Sequence, residues 1–387
     1  MLTEFYADLH IHIGRDQANR PVKITGSKNL TLTNILIEAS RNKGLDLIGI
    51  VDCHVPTVQT EIEQLIQANQ AIELADGGIQ FESVTLLLGV ELEIYDQYCS
   101  GPIHVLCYFP DLKTIKQFTE WLKNQLKNIQ LSSQRVYVTA VELQEKVKEL
   151  AGLFIPAHVF TPFKSLYGKG VKHSLTEVFK PDLIDAIELG LSSDTTMVQG
   201  INELNNYTFL TNSDAHSLIK MVREYQTIAM KLSNFKEFKL ALHERDGRKV
   251  IANYGMHPRL GKYYQSICKY CESNNFTEDQ CANCGRSGKI KGVSERIDEL
   301  KDSELIERKR PQYHYHVPLD YIHGLGKKTY QKMLDQFGTE MEILHEANLE
   351  VIRALVGSRI ANQLENIRSG KINIQTGGGG KYGKISE

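Results

Sequence analysis

From residue 1 to about residue 253 the chain alternates between two hydrophobic periods. Apolar runs interrupted by single polar residues predict strands: FYADLHIHI, LDLIGIVDCH, VTLLLGVELEI, GPIHVLCYF, GLFIPAHVF, DLIDAIELGL and YTFLTNSDAH. Between most of them, apolar residues recur at helical spacing, as in TLTNILIEASRNKG, TEIEQLIQANQAIELA, IKQFTEWLKNQLKN and AVELQEKVKELAG. Strand and helix in alternation predict an α/β fold with a mostly parallel sheet, and this many units suit a barrel better than an open sheet. From about Asn253 the alternation stops. The expected organisation is a barrel over 1–253, a cysteine-bearing module and linker over 254–317, and short helices over 318–387 that end in a Gly-rich tail.

The polar residues inside the strands form a pattern of their own. In the first strand Asp8, His10 and His12 alternate with Leu9, Ile11 and Ile13, so one face carries all three polar groups. Later strands add Asp52 and His54, Glu91, His104, His158, and Asp214 with His216, each expected near a carboxyl end. Parallel barrels build their active sites at that end, so these groups are expected to converge. Imidazole and carboxylate ligands suit zinc, manganese or iron. Two ions, with Glu91 as a bridge, would generate hydroxide from water and hold a phosphoryl group. The sequence has no Ser nucleophile elbow and no Gly-Lys-Ser/Thr phosphate loop, which favours water as the attacking group.

The second part of the chain bears on the substrate. Cys268 and Cys271, then Cys281 and Cys284, have the spacing of a closed four-thiolate zinc site, which is structural. The other three of the seven cysteines lie singly in apolar surroundings. In YIHGLGKKTYQKMLDQFGT, Gly324 and Gly326 predict a helix-hairpin-helix turn, with Lys327 and Lys328 at the start of a helix that attracts phosphate. A weaker echo surrounds Gly357. The loop TPFKSLYGKGVKH follows the His158 strand, and Phe163, Lys164, Ser165, Tyr167 and Lys169 within it suit stacking on bases and gripping phosphate. Its backbone N–H groups are the candidates for reading the base.

Charge changes this picture only locally. The chain is net −2, but from Gly255 onward it has 20 Lys and Arg against 17 Asp and Glu. That mild excess leaves room for a polyanion. No apolar run reaches the roughly 18 residues of a membrane span, and the start lacks a signal-peptide pattern, so a cytoplasmic protein with no membrane partner is expected. No obvious oligomerisation segment is present, so a monomer is expected.

The ordered motifs DLHIH, D-x-H, GVE, a lone His strand, PAH and SDAH resemble those of the polymerase and histidinol phosphatase (PHP) superfamily. The resemblance implies a distorted (β/α)7-type barrel with a trinuclear metal site. Its implied ligands are His10, His12, Glu91, His104, His158, Asp214 and His216, with His54 and Asp52 taking the second motif. A further His usual after the first motif is missing, and IGRDQANRPVK offers only Asp16. Taken with the cysteine module and the helical end, the whole chain resembles the endonuclease Q family. That implies nicking of double- or single-stranded DNA 5′ to uracil, hypoxanthine, xanthine or an abasic site, leaving a 3′-hydroxyl and a 5′-phosphate. Asp214, Glu91 and His158 are the implied catalytic residues, and zinc, manganese or magnesium the implied ions. A small-molecule phosphatase of the histidinol-phosphate type and a non-catalytic DNA-damage binder are the alternatives.

Overall fold

The computed structural model describes residues 1–371, 373–378 and 381–386. Ile372, Gly379, Gly380 and Glu387, which belong to the Gly-rich tail noted above, lie outside the described residues.

Strands β1 (Thr3–Ile11), β2 (Leu47–Ile50) and β3 (Val84–Ile94) run parallel. Strand β4 (Ile103–Phe109) is antiparallel to β3, and β5 (Leu153–Pro156) is antiparallel to β4. The expected parallel order therefore fails at β4, for a physical reason. Only residues 95–102 join it to β3, and a parallel neighbour needs a crossover of about a dozen residues or more. Strands β6 (Ala186–Glu188) and β7 (Thr208–Leu210) pair in parallel. Backbone hydrogen bonds join the remaining seams. The Asp185 N–H donates to the Phe154 carbonyl at 2.9 Å, and the Ala215 N–H donates to the His10 carbonyl at 3.1 Å. The strands thus follow one another around a ring in chain order. Fully buried Tyr108 of β4 reaches across this ring, and its hydroxyl donates to the Leu9 carbonyl of β1. Gly49 and Gly89 make that reach possible, because a Cβ on either would lie 2.8 Å from the tyrosine ring.

Helices coat the first half of the ring. Thr31 caps α1 (Leu32–Ile37), which continues as a π-turn to Lys43. Helix α2 (Pro56–Gln67) starts on a proline, α3 (Leu112–Leu122) is capped by Asp111, and α4 (Ala140–Glu149) by Thr139. The helical pattern expected through residue 75 ends at Gln67, and Ile72–Glu73 is a short strand. Around β5, β6 and β7 the connections are short π and 3-10 turns, so the helical coat is incomplete there.

The sheet then extends beyond the ring. Strand β8 (Tyr225–Met230) pairs antiparallel with the start of β1, β9 (Lys249–Met256) pairs antiparallel with β8, and β10 (Gln312–His316) lies parallel to β9. Strand β9 crosses the boundary expected at 253, and β10 draws the polar linker into the sheet of the first unit. Helices α5 (Phe235–Leu242) and α6 (Val293–Leu300) precede the helical end, which comprises α7 (Lys327–Phe337), α8 (Glu340–His345), α9 (Leu349–Val356) and α10 (Ser358–Arg368). Among the described residues no helix is long and apolar enough to cross a membrane.

An aromatic ladder joins the helical end to the sheet. Tyr225 stacks on Tyr254 at 4.8 Å, Tyr254 stacks on His314 at 4.8 Å, and the Tyr225 hydroxyl lies 2.7 Å from His345 Nε2. Burial pushes His316 down to about 3 and His345 down to about 4, from the usual 6.5. An unfolded chain takes up protons on these rings below pH 6.5, whereas the folded one resists them, so acid favours unfolding. Stability is expected to fall as pH drops from about 6.5 towards 4, with His316 alone removing up to about 1.4 kcal/mol per pH unit. Thermal unfolding across that range, compared with His316→Gln, checks this. An unchanged slope in the variant would show that His316 is not a source of the acid sensitivity.

Candidate metal centre and nucleic-acid interface

Two triads of ligand atoms lie at one rim of the ring: His10, His12 and Asp214, and Glu91, His104 and His158. His104 belongs to this rim although it opens its strand, because β4 runs backwards. A register shift between Asp8 and Ile11 breaks the simple alternation of β1. Asp8 consequently accepts the N–H groups of Ser213 and Val222 and joins neither triad.

The triads touch each other. His10 Nε2 lies 3.6 Å from Glu91 Oε1 and 3.5 Å from Asp214 Oδ1. His12 Nε2 lies 3.5 Å from Glu91 Oε2 and 3.4 Å from Asp214 Oδ1. Glu91 also meets His104 Nδ1 at 2.8 Å and His158 Nε2 at 3.5 Å. Burial opposes charge on Glu91, yet His104, Lys23 and His10 hold its carboxyl well below the usual range. Asp214 behaves alike, with burial outweighed by His10, His12 and His216. His216 sits at the exposed edge, its Nδ1 3.6 Å from Asp214 Oδ1. Two of these residues carry backbone strain, with φ of +32° at His158 and +46° at Asp214. Such strain clusters where a site needs one fixed side-chain direction.

The donor set suits a divalent cation. Buried His10 Nε2 and His104 Nε2 have no hydrogen-bond partner, although they face carboxylates within a group of imidazole and oxygen ligands. Surrounding residues fix the imidazoles. Glu188 takes His10 Nδ1 at 3.0 Å, and Asp52 takes His12 Nδ1 at 3.1 Å. Asp52 and His54, expected as ligands, stand outside both triads. Asp52 orients His12 and also accepts the Ile13 N–H at 2.7 Å. His54 places Nε2 3.3 Å from the Leu131 carbonyl, and its buried Nδ1 has no hydrogen-bond partner.

Lys23 is a site residue that the sequence pattern missed. Its ammonium lies 3.1 Å from Glu91 Oε2, 3.2 Å from His12 Nε2 and 2.5 Å from Ser133 Oγ. It comes from the loop where the usual further histidine is missing, while Asp16 binds Arg20 and Thr57 instead. A loop lysine has no periodicity to mark it. Glu188 did have a signal, as a lone carboxylate at the end of an apolar strand, just like Glu91.

A cavity of 460 Å³ opens over the cluster, lined by Glu91, His104, His158 and Asp214 and by Lys164, Lys220, Arg223 and Lys262. Phe163, half exposed, meets Tyr263 edge-on at 5.4 Å on its wall. Lys164 pairs with Glu93 at 2.9 Å, and Lys169 is exposed. Two other loop candidates are buried and bonded within the protein. Tyr167 is buried, stacks on Phe160 and donates to Glu203 at 2.8 Å; buried Ser165 donates to the Val159 carbonyl and accepts the Gly168 N–H. The N–H groups of residues 167–170 are likewise used within the loop or on Val159.

The Gly324 and Gly326 turn, with Lys327 and Lys328, is exposed, and Gly326 caps α7. What precedes it is a single 3-10 turn, Leu319–Tyr321, and not an α-helix. The fuller pair of helices is the echo, α9 and α10 about Gly357. Lys220 on the cavity wall binds Asp320 at 2.6 Å, which sets this hairpin beside the cavity mouth.

Cys268, Cys271, Cys281 and Cys284 bring their sulfurs together, with 3.6 Å from Cys268 to Cys284 and 3.4 Å from Cys271 to Cys281. A disulfide would need about 2.05 Å, whereas four thiolates around one ion with ~2.3 Å bonds stand about 3.8 Å apart. Backbone N–H donors from Tyr270 and Ser273 lower the thiols of Cys268 and Cys271, whereas at Cys284 the Arg286 N–H is outweighed by burial and the neighbouring sulfurs, which push it up to about 11.

No family model matches the sequence. The Bacillus subtilis protein YqxK is 55% identical over 385 residues, covering 99% of this chain and 100% of that protein. Among solved structures, the lesion-specific endonuclease PfuEndoQ from Pyrococcus furiosus superposes with a TM-score of 0.85 at 32% identity, covering 99% of this chain and 95% of that one. An endonuclease Q in complex with a 27-mer duplex substrate, with an abasic lesion at the active site, gives 0.83 at 32% identity, covering 99% and 96%. Fold and site together define a metal-dependent phosphoesterase or nuclease. The likeness along the full length is more specific, and the chain belongs to the endonuclease Q family.

Proposed function

We propose that this protein is a DNA repair endonuclease acting 5′ to deaminated bases (uracil, hypoxanthine, xanthine) and abasic sites, leaving a 3′-hydroxyl and a 5′-phosphate. One observation carries the reading: a single cavity reaches both ligand triads, through Asp214 and through Glu91, His104 and His158, and its wall carries five cationic side chains and the aromatic rings of Phe163, Tyr263 and Tyr382. The PHP-type barrel would supply the chemistry, the four-cysteine module a structural zinc, and the helical end a DNA grip through Gly324, Gly326, Lys327 and Lys328. The protein would act as a monomer in the cytoplasm, on the DNA of a prokaryote.

His10, His12 and Asp214, with Glu91, His104, His158 and His216, would hold two or three ions of zinc, manganese or magnesium. Bound there, such ions supply hydroxide at neutral pH and neutralise phosphoryl oxygens. The chain's own groups do the rest. Glu188 and Asp52 lock the imidazole orientations. Lys23 keeps a fixed positive charge against Glu91. Lys164, Lys220, Arg223 and Lys262 draw in the DNA backbone, which positions the strand without reading it. A deaminated base pairs poorly, so extruding it costs less than the few kcal/mol of a sound pair, which gives part of the selectivity.

The test is a nicking assay on end-labelled duplexes of about 40 bp, long enough for an interface of the usual size. Separate duplexes carry deoxyuracil, deoxyinosine, an abasic site or no lesion, with zinc or manganese added. The expected product is one nick immediately 5′ of each lesion and none in sound DNA. Intact lesion DNA, with phosphate released from small monoesters, would instead make the protein a phosphatase.

A further inference from the structure

The Gly-rich end of the chain folds back onto the wall of the cavity. Asn373–Gln375 and Lys384–Ser386 pair as an antiparallel hairpin. Its inner residues are pinned to the segment after β9. The Gly377 N–H donates to the Arg259 carbonyl at 2.6 Å, and the Gly383 N–H donates to the Leu260 carbonyl at 2.9 Å. The glycines serve close approach here. A Cβ on Gly383 would lie 2.3 Å from the Gln375 carbonyl oxygen and 2.9 Å from that of Arg259. Lys381 adds an ion pair with Glu272 of the cysteine module. This end is therefore a built part of the site.

What it brings there is Tyr382. The residue lines the same cavity as Glu91, His104, His158 and Asp214. Its ring belongs to neither hydrophobic core, is 39% exposed, and has the Lys262 ammonium 4.5 Å from its centroid. A base taken out of a duplex loses two stacked neighbours, and an exposed aromatic ring beside the cleavage site restores part of that contact whatever the base. The paired lysine meets the charge of the adjoining phosphate.

We propose that Tyr382 is a substrate-positioning residue whose ring stacks on a nucleotide base displaced from the duplex, with Lys262 facing the neighbouring phosphate. This rests on reading the cavity as a nuclease centre. Stacking acts on binding and on extrusion of the base, and leaves the hydrolytic step unchanged once DNA is seated.

The experiment compares full-length wild type, Tyr382→Ala, Tyr382→Phe and Gly383→Val, each checked for metal content and thermal unfolding. Gly383→Val expels the hairpin and keeps the ring. Affinity is measured on lesion and sound duplexes, extrusion by 2-aminopurine fluorescence beside the lesion, and cleavage at saturating DNA. Tyr382→Ala and Gly383→Val should weaken lesion binding about 10-fold and reduce the fluorescence change, with Tyr382→Phe near wild type. The saturated cleavage rate should stay within about threefold, the signature of lost binding and not of lost chemistry. Unaltered affinity in Tyr382→Ala overturns the assignment, as does an equal loss on sound DNA. A wild type that nicks no lesion would instead sink the nuclease reading itself.

Discussion

Asp214→Asn is expected to abolish lesion-dependent nicking, with a loss of at least about 10³-fold, because it removes the anionic member of one ligand triad. The carboxylate oxygen stands 3.5 Å from His10 Nε2 and 3.4 Å from His12 Nε2, and it completes the triad with these two imidazoles. The fold should survive. Asparagine matches the volume and tolerates the left-handed backbone at φ +46° better than most residues. DNA affinity should hold or rise, since a negative charge leaves a cavity that receives phosphate. End-labelled nicking with a parallel binding measurement checks both halves. Persistent nicking by the variant would move the essential chemistry to Glu91, His104 and His158. Lost binding would mean that Asp214 shapes the cavity and not the reaction.

What the sequence revealed of this site follows from what a period can report. Charged groups in apolar strands stand out against their neighbours, and so His10, His12, Glu91, His104, His158 and Asp214 were legible. The direction of β4 was not read, yet it is what brings His104, near the start of its strand, to the common rim. Asp52 and His54 fall outside the triads, which spacing does not reveal because it names residue types and not the atoms they face. Asp52 sits behind His12, where it tunes the ring. Lys23, Lys262 and Tyr382 escaped because loops and tails have no period, and only their packing against the ring places them at the cluster. Ser165 and Tyr167 show the opposite error, since loop residues of suitable chemistry are used to hold the loop itself. The helical end was legible from its turn glycines, but its first hairpin turned out to have one α-helix where two were expected.

The largest stability effect is expected where that helical end docks on the ring. Lys43 ends the π-turn after α1, and its ammonium meets Glu340 at 2.5 Å, with both side chains only 3% exposed. The Tyr330 hydroxyl donates to the same carboxylate at 2.9 Å. Glu340→Ala strands a buried ammonium and a hydroxyl together, and should cost about 3–5 kcal/mol in urea or thermal unfolding. Lys43→Met combined with Glu340→Met should recover most of that loss, because an apolar pair of similar volume leaves no charge unpaired. A cost below about 1 kcal/mol in Glu340→Ala would show that water reaches Lys43, as it does at surface pairs. The docking would then rest on the aromatic ladder and on the apolar side chains of α7 to α10 that share the core of the first unit. The functional consequence separates the two halves of the protein. A loosened helical end should weaken lesion-DNA affinity, while a duplex at saturating concentration is still cut, since neither ligand triad draws a residue from α7 to α10.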